Sequence, residues 1–88
     1  MKWEIGFSKE AEKFLKRENL RSETIGEIVK FLKRLRGESV SVDVKKLKGD
    51  WQGYYRIRKG KVRIIFELSF EEHFVYVARI DYRGEAYK

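Results

Sequence analysis

Tyr54-Tyr55-Arg56-Ile57-Arg58-Lys59-Gly60-Lys61-Val62-Arg63-Ile64-Ile65-Phe66-Glu67-Leu68 reads as two strands folded back on each other, Tyr54 to Arg58 and Val62 to Leu68, joined at Lys59-Gly60. Successive side chains of a strand point to opposite faces, so Tyr55 and Ile57 share one face and Tyr54, Arg56 and Arg58 the other. In the partner strand Val62, Ile64, Phe66 and Leu68 fall together, leaving Lys61, Arg63, Ile65 and Glu67 opposite. The apolar faces must find a core, whereas an antiparallel sheet can leave its second face in water. The expected result is a basic platform of Arg56, Arg58, Lys61 and Arg63 with Tyr54 beside it.

Outward from this pair, Phe74 to Asp81 supplies a third strand after a turn at Ser69 to His73. At the other end of the chain, Trp3, Ile5 and Phe7 alternate with Glu4 and Gly6 as a half-buried strand. Ser8 is a candidate helix cap, followed by Ala11, Phe14 and Leu15 on one helical face. Ser22 is a second candidate cap, followed by Ile25, Ile28, Val29, Leu32 and Leu35 at helical spacing and by a left-handed stop at Gly37. The break at Asn19 to Arg21 implies a helical hairpin with antiparallel arms. After Gly37 the period becomes strand-like, and Gly49 and Gly53 bracket a loop. The fold class is therefore α+β: a strand, a helical hairpin, then a three-stranded antiparallel sheet with the helices on one face. Eighty-eight residues suffice for one such domain, over 1–88.

Charge is distributed unevenly. Between Lys45 and Arg63 stand eight basic residues and one acidic residue, Asp50, so this segment carries the whole net charge of +7. Such segregation marks a polyanion site, with a solvated lysine-rich face as the plain alternative. The absence of cysteine excludes a disulfide framework and thiolate metal sites. No apolar run approaches a membrane span and the first residues lack a signal-peptide pattern, so no membrane role and a cytoplasmic location are expected.

The element order, the Lys46-Leu47-Lys48-Gly49 run before a tyrosine-rich strand, the strand pair from Tyr55 to Phe66 and the tail Arg83-Gly84-Glu85-Ala86-Tyr87 resemble the RelE/ParE toxin superfamily. The resemblance spans almost the whole chain. It implies the toxin of a type II toxin-antitoxin system: a ribosome-dependent endoribonuclease that cuts messenger RNA without a metal or other cofactor and is restrained by an acidic antitoxin protein. It further implies catalytic positions at Arg56, Arg58, Arg63, Arg83 and Tyr87. Guanidinium groups suit charge building on a phosphoryl group. The family often has lysine at the first-strand pair, and an arginine does not readily give up its proton to act as a base. The base is left open among Lys46, Lys48, Lys59 and Lys61, with electrostatic stabilisation alone as the other route to slow cleavage. Lys45, Lys46, Lys48, Lys59 and Lys61 are expected to bind RNA.

Other classes remain alongside: a ParE-like inhibitor of DNA gyrase, and an RNA-binding domain without catalysis. Residue by residue, plainer readings also stand. Arg56 and Arg58 can be sheet-surface residues paired with Glu67 across the strands. His73 reads as a solvated turn side chain, and Glu71-Glu72-His73, being consecutive, cannot converge on a metal. Trp51 reads as structural, Tyr54 and Tyr82 as ambiguous, and Tyr55 and Tyr76 as core.

Overall fold

The computed structural model describes residues 2–82. A short strand, β1 (Glu4–Phe7), ends at Ser8, whose hydroxyl accepts from the Ala11 amide at 3.1 Å. That bond satisfies one of the donors that a helix start leaves open. Helix α1 (Lys9–Glu18) buries Ala11, Phe14 and Leu15, as its periodicity predicts, and ends at Asn19 in the left-handed region with φ 57°.

Helix α2 (Arg21–Leu35) starts at once, with Leu20 in the capping position and no side-chain cap. Ser22 therefore lies inside the helix, contrary to expectation. Leu20 packs against the core. Its partial burial contributes a share of the roughly 1.5–3 kcal/mol of a fully buried side chain, comparable to the roughly 1 kcal/mol of a cap. The helix is also rotated from its expected stripe. It buries Thr24, Glu27, Ile28, Phe31 and Leu32, while Val29 and Leu35 are exposed. Phe31 sets the rotation, its ring 5.5 Å from both Tyr55 and Phe66. Gly37, at φ 93°, ends the helix as expected: the Glu38 amide donates to Lys33 and the Gly37 amide to Arg34, both at 3.0 Å.

The alternation after Gly37 yields a strand absent from the sequence reading, β2 (Val44–Lys46), and Gly49–Trp51 makes one tight helical turn. Then come β3 (Tyr55–Lys59), β4 (Val62–Ser69) and β5 (Phe74–Tyr82). The sheet is thus five-stranded rather than three-stranded, in the order β1-β5-β4-β3-β2, with β1 parallel to β5 and the remaining pairs antiparallel. Gly6 lets β1 approach β5, since a Cβ there would lie 2.6 Å from the Phe74 ring. Helix α1 packs on β1 and β5, and α2 on β3. Between helices and sheet lie Ile57, Ile64, Phe66, Val75, Val77 and Ile80, all buried.

One irregularity decides what faces solvent. Ile65 pairs with Arg79 but the next residue, Phe66, pairs with Val77, so Ala78 is an extra residue in β5. Such a bulge reverses the in-out parity of the strand beyond it. Val75 and Val77 point inward on one parity and Ile80 on the other. Ser8 holds the bulge: its amide donates to the Val77 carbonyl at 2.9 Å and its hydroxyl to the Ala78 carbonyl at 2.8 Å.

Candidate nucleic-acid interface

The sheet face away from the helices carries three rows of side chains, read across the strands from the pairing register. Arg58, Arg63 and Asp81 form the first. Lys45, Arg56, Ile65 and Arg79 form the second. Glu67 and Tyr76 are opposite each other in the third, where the Tyr54 hydroxyl donates to Glu67 at 3.3 Å. Ile65 is fully buried although it lies on this face. Arg56 and Arg79 are its cross-strand neighbours there.

The structure thus brings Arg56, Arg58 and Arg63 onto one face, with Lys45 directly opposite Arg56. Arg58 faces Arg63 across the strands, a like-charge pair that costs stability unless anions lie close. One anion is Asp43, just upstream of the basic segment. Its Oδ1 accepts from an Arg56 terminal nitrogen at 3.2 Å and its Oδ2 from Arg58 Nε at 3.4 Å. Arg56 is only 7% exposed, and its Nε is buried with no hydrogen-bond acceptor. A buried guanidinium with an unused donor is costly.

The cross-strand pairing considered for Arg56 and Arg58 was to Glu67. Asp43 takes that place, and Glu67 accepts from Tyr54 instead. Burial, then the neighbouring Glu67 charge, raises the Tyr54 pKa above the ordinary tyrosine value.

Lys59 does not join this face. It lies at the end of β3 opposite Val62 and forms an ion pair at 3.2 Å with Glu27 of α2, on the helix side of the sheet. Lys30 reaches the same carboxylate oxygen at 3.2 Å. Glu27 is 6% exposed, and burying it without these cations would be expensive. Lys61 is exposed in the β3–β4 turn, outside the strand, rather than on the platform. Lys46 and Lys48 are exposed at the β2 edge, where Lys45, Lys46, Leu47, Lys48 and Arg56 line a groove of about 470 Å³. Arg83 and Tyr87 lie outside the described residues.

Sequence reasoning missed three charged members of this face, Arg79, Asp81 and Asp43. Arg79 arrives by the bulge, whose signal was the buried Ile80 out of step with Val75 and Val77. Asp43 was signalled by Val42-Asp43-Val44, an alternation that turns the carboxylate outward between two inward valines. Tyr76, expected in the core, is 36% exposed, because Val75 and Val77 hold the inward parity of that part of β5. Trp51 packs edge-on against Tyr54, with centroids 5.3 Å apart. Tyr82 packs on Phe14 and donates its hydroxyl to Glu18. His73, expected in solvent, is half-buried, its ring 5.3 Å from Trp3.

Among the described residues, no group of His, Cys, Asp or Glu side chains is placed to hold a metal ion, and no helix is long and apolar enough to cross a membrane. No protein-family model and no curated protein matches the sequence. Solved structures do match. The archaeal RelE–RelB complex from Pyrococcus horikoshii aligns with 98% of this chain and 100% of that chain at 26% identity and TM-score 0.61. The toxin-antitoxin complex RelBE2 from Mycobacterium tuberculosis aligns with 94% and 100% at 21% identity and TM-score 0.62. A metal-bound toxin from Helicobacter pylori aligns with 96% and 98% at 17% identity and TM-score 0.69. With two helices and a mixed sheet like these structures along almost its whole length, and strand counts that differ slightly from theirs, this chain has the RelE-like α+β fold.

Proposed function

We propose that this protein is the toxin of a type II toxin-antitoxin system and acts in the cytoplasm as a ribosome-dependent, metal-independent messenger RNA endoribonuclease. The observation that carries this reading is the grouping of Arg56, Arg58, Arg63 and Arg79 on one open sheet face.

The chemistry suits that face. The ribose 2′-oxygen attacks its neighbouring phosphorus, the bond from phosphorus to the 5′-oxygen breaks, and the products are a 2′,3′-cyclic phosphate and a free 5′-hydroxyl. One proton leaves the 2′-oxygen and one is gained by the 5′-oxygen. Negative charge builds on the phosphoryl oxygens in between, where forked guanidinium donors each contribute on the order of 10²–10³ in rate. Arg56, Arg58 and Arg63 are assigned to those oxygens, Arg83 to the leaving oxygen, and Tyr87 to stacking on a base. Tyr54 and Tyr76, beside the arginines, offer further stacking surface at roughly 1–3 kcal/mol per base. Lys45, Lys46 and Lys48 extend the cationic track into the β2-edge groove. The base is drawn from Lys46, Lys48 or Lys61, since Glu27 engages Lys59 on the far side.

The partner is an acidic antitoxin that neutralises the platform, in keeping with the antitoxin complexes among the similar structures. Primer extension on messenger RNA, with and without ribosomes, is the test. Cleavage that needs ribosomes supports the reading. Intact messenger RNA under both conditions, with loss of DNA supercoiling in cells, would replace it with gyrase inhibition.

A further inference from the structure

In the free protein two of the site's arginines already share an anion, and it belongs to the chain itself. Asp43 stands opposite Arg58, whose amide donates to the Asp43 carbonyl at 3.0 Å. On its other side Val42 is buried, and Arg34 donates to the Val42 carbonyl at 3.0 Å. The backbone on both sides therefore aims this carboxylate at the arginines.

Its hold on them is nonetheless loose. Each guanidinium receives one oxygen, at 3.2 and 3.4 Å, where a strong charge-assisted bond measures about 2.7–2.9 Å. The Asp43 side chain is 54% exposed. Arg56, by contrast, is nearly buried and has an unused Nε donor. A phosphate group carries more acceptor oxygens than this carboxylate and can take a forked pair from one guanidinium while reaching the next.

We propose that Asp43 is a built-in competitor for RNA phosphate: it keeps Arg56 and Arg58 ordered and charge-balanced in the free protein and gives them up when phosphate arrives. The inference rests on the RNA-binding reading above. It makes Asp43 a positioning residue that lowers affinity for stray polyanions, because every phosphate must first displace it.

The test uses the full chain with inorganic phosphate and a short single-stranded RNA as separate probes. D43N binds the RNA about tenfold more tightly at low salt, since the two ion pairs made by the half-exposed Asp43 carboxylate no longer compete. The log–log salt dependence steepens by about 0.7. D43E returns the affinity to that of the parent protein. Inorganic phosphate raises the melting temperature of D43N more than that of the parent. In the unsubstituted protein, the carboxyl carbon resonance of Asp43 moves on titration with RNA, a readout that needs no variant. RNA binding by D43N no tighter than the parent's, or an Asp43 resonance that stays still while RNA binds, overturns the proposal. If neither protein binds RNA but phosphate selectively stabilises D43N, the RNA reading falls and Asp43 remains a phosphate competitor.

Discussion

Ser8 and Ala78 lie 70 residues apart in the chain and are joined by a hydrogen bond of 2.8 Å, the serine hydroxyl donating to the alanine carbonyl. The same oxygen accepts from the Ala11 amide and so caps α1. One side chain thereby ties the start of the first helix to the bulge that turns Arg79 and Asp81 toward the open face. The helix start and the bulge are thus held by the same residue.

Ser8→Ala removes the cap and leaves the Ala78 carbonyl with one bond fewer. Loss of stability is expected at about 1–2 kcal/mol, read from urea denaturation midpoints. If the bulge depends on this tie, RNA affinity falls as well, by the share that Arg79 supplies. An unchanged midpoint would mean that neither role matters.

Lys59 provides a second check on where the cations point. Its partner is the buried Glu27, so Lys59→Met acts on stability and not on RNA. Because Lys59 is half-exposed, the cost stays at about 1 kcal/mol or less. RNA affinity is expected to hold within about twofold, whereas Arg58→Met lowers it by an order of magnitude or so. Equal losses from both variants in a fluorescence anisotropy titration would return Lys59 to the RNA face.

The β3–β4 pair was legible because both strands keep one parity throughout, with Ile57, Ile64 and Phe66 all reaching the core. Strand β5 was legible in its position but not in its facing, since Phe74, Tyr76, Ala78 and Ile80 make an apolar alternation that competes with Val75 and Val77. Only the extra residue at Ala78 reconciles the two. Helix α2 misled for a different reason: its apolar residues outnumber the positions the sheet can cover, and the aromatic Phe31 wins over Val29 and Leu35. Lys59 and Lys61 flank a turn, where alternation no longer fixes a face. Asp43 stands just outside the basic segment that begins at Lys45, although its contact with Arg56 spans only 13 residues.

Tyr82 and Glu18 should make stability fall at both extremes of pH. The Tyr82 hydroxyl, with help from Arg17, holds Glu18 below its ordinary value of 4.5, and the same bond to Glu18, then burial, holds Tyr82 above 10.0. In acid, the unfolded chain protonates Glu18 first, so the contribution is lost as pH falls from 4.5 through the lowered folded value. In alkali, the unfolded tyrosine ionises first, and the contribution is lost as pH climbs from 10.0 through the raised folded value. Tyr82→Phe removes the bond at every pH. The gap in melting temperature between parent and variant is therefore widest from about pH 6 to about pH 9 and narrows on either side. A gap independent of pH would mean that the pair does not titrate as its geometry implies.

Arg79 distinguishes binding on the open face from the catalytic role assigned to Arg83. Directly opposite Ile65, it belongs to the same row as Arg56 and Lys45, two residues that the sequence already marked. Arg79→Ala removes one phosphate contact, so the log–log salt slope for single-stranded RNA should flatten by about 0.7, with affinity reduced across all sequences alike. Its effect on cleavage should follow from weaker binding, appearing mainly in the RNA concentration needed for half-maximal rate. Arg83→Ala is expected to act the other way, lowering the maximal rate by on the order of 10²–10³ at little cost in affinity, if its guanidinium meets the leaving oxygen. Single-turnover cleavage at saturating and limiting ribosome-bound messenger RNA distinguishes the two. Were Arg79→Ala to abolish the maximal rate while binding stayed intact, the reacting phosphate would sit over the second row of the sheet, between Arg56 and Arg79.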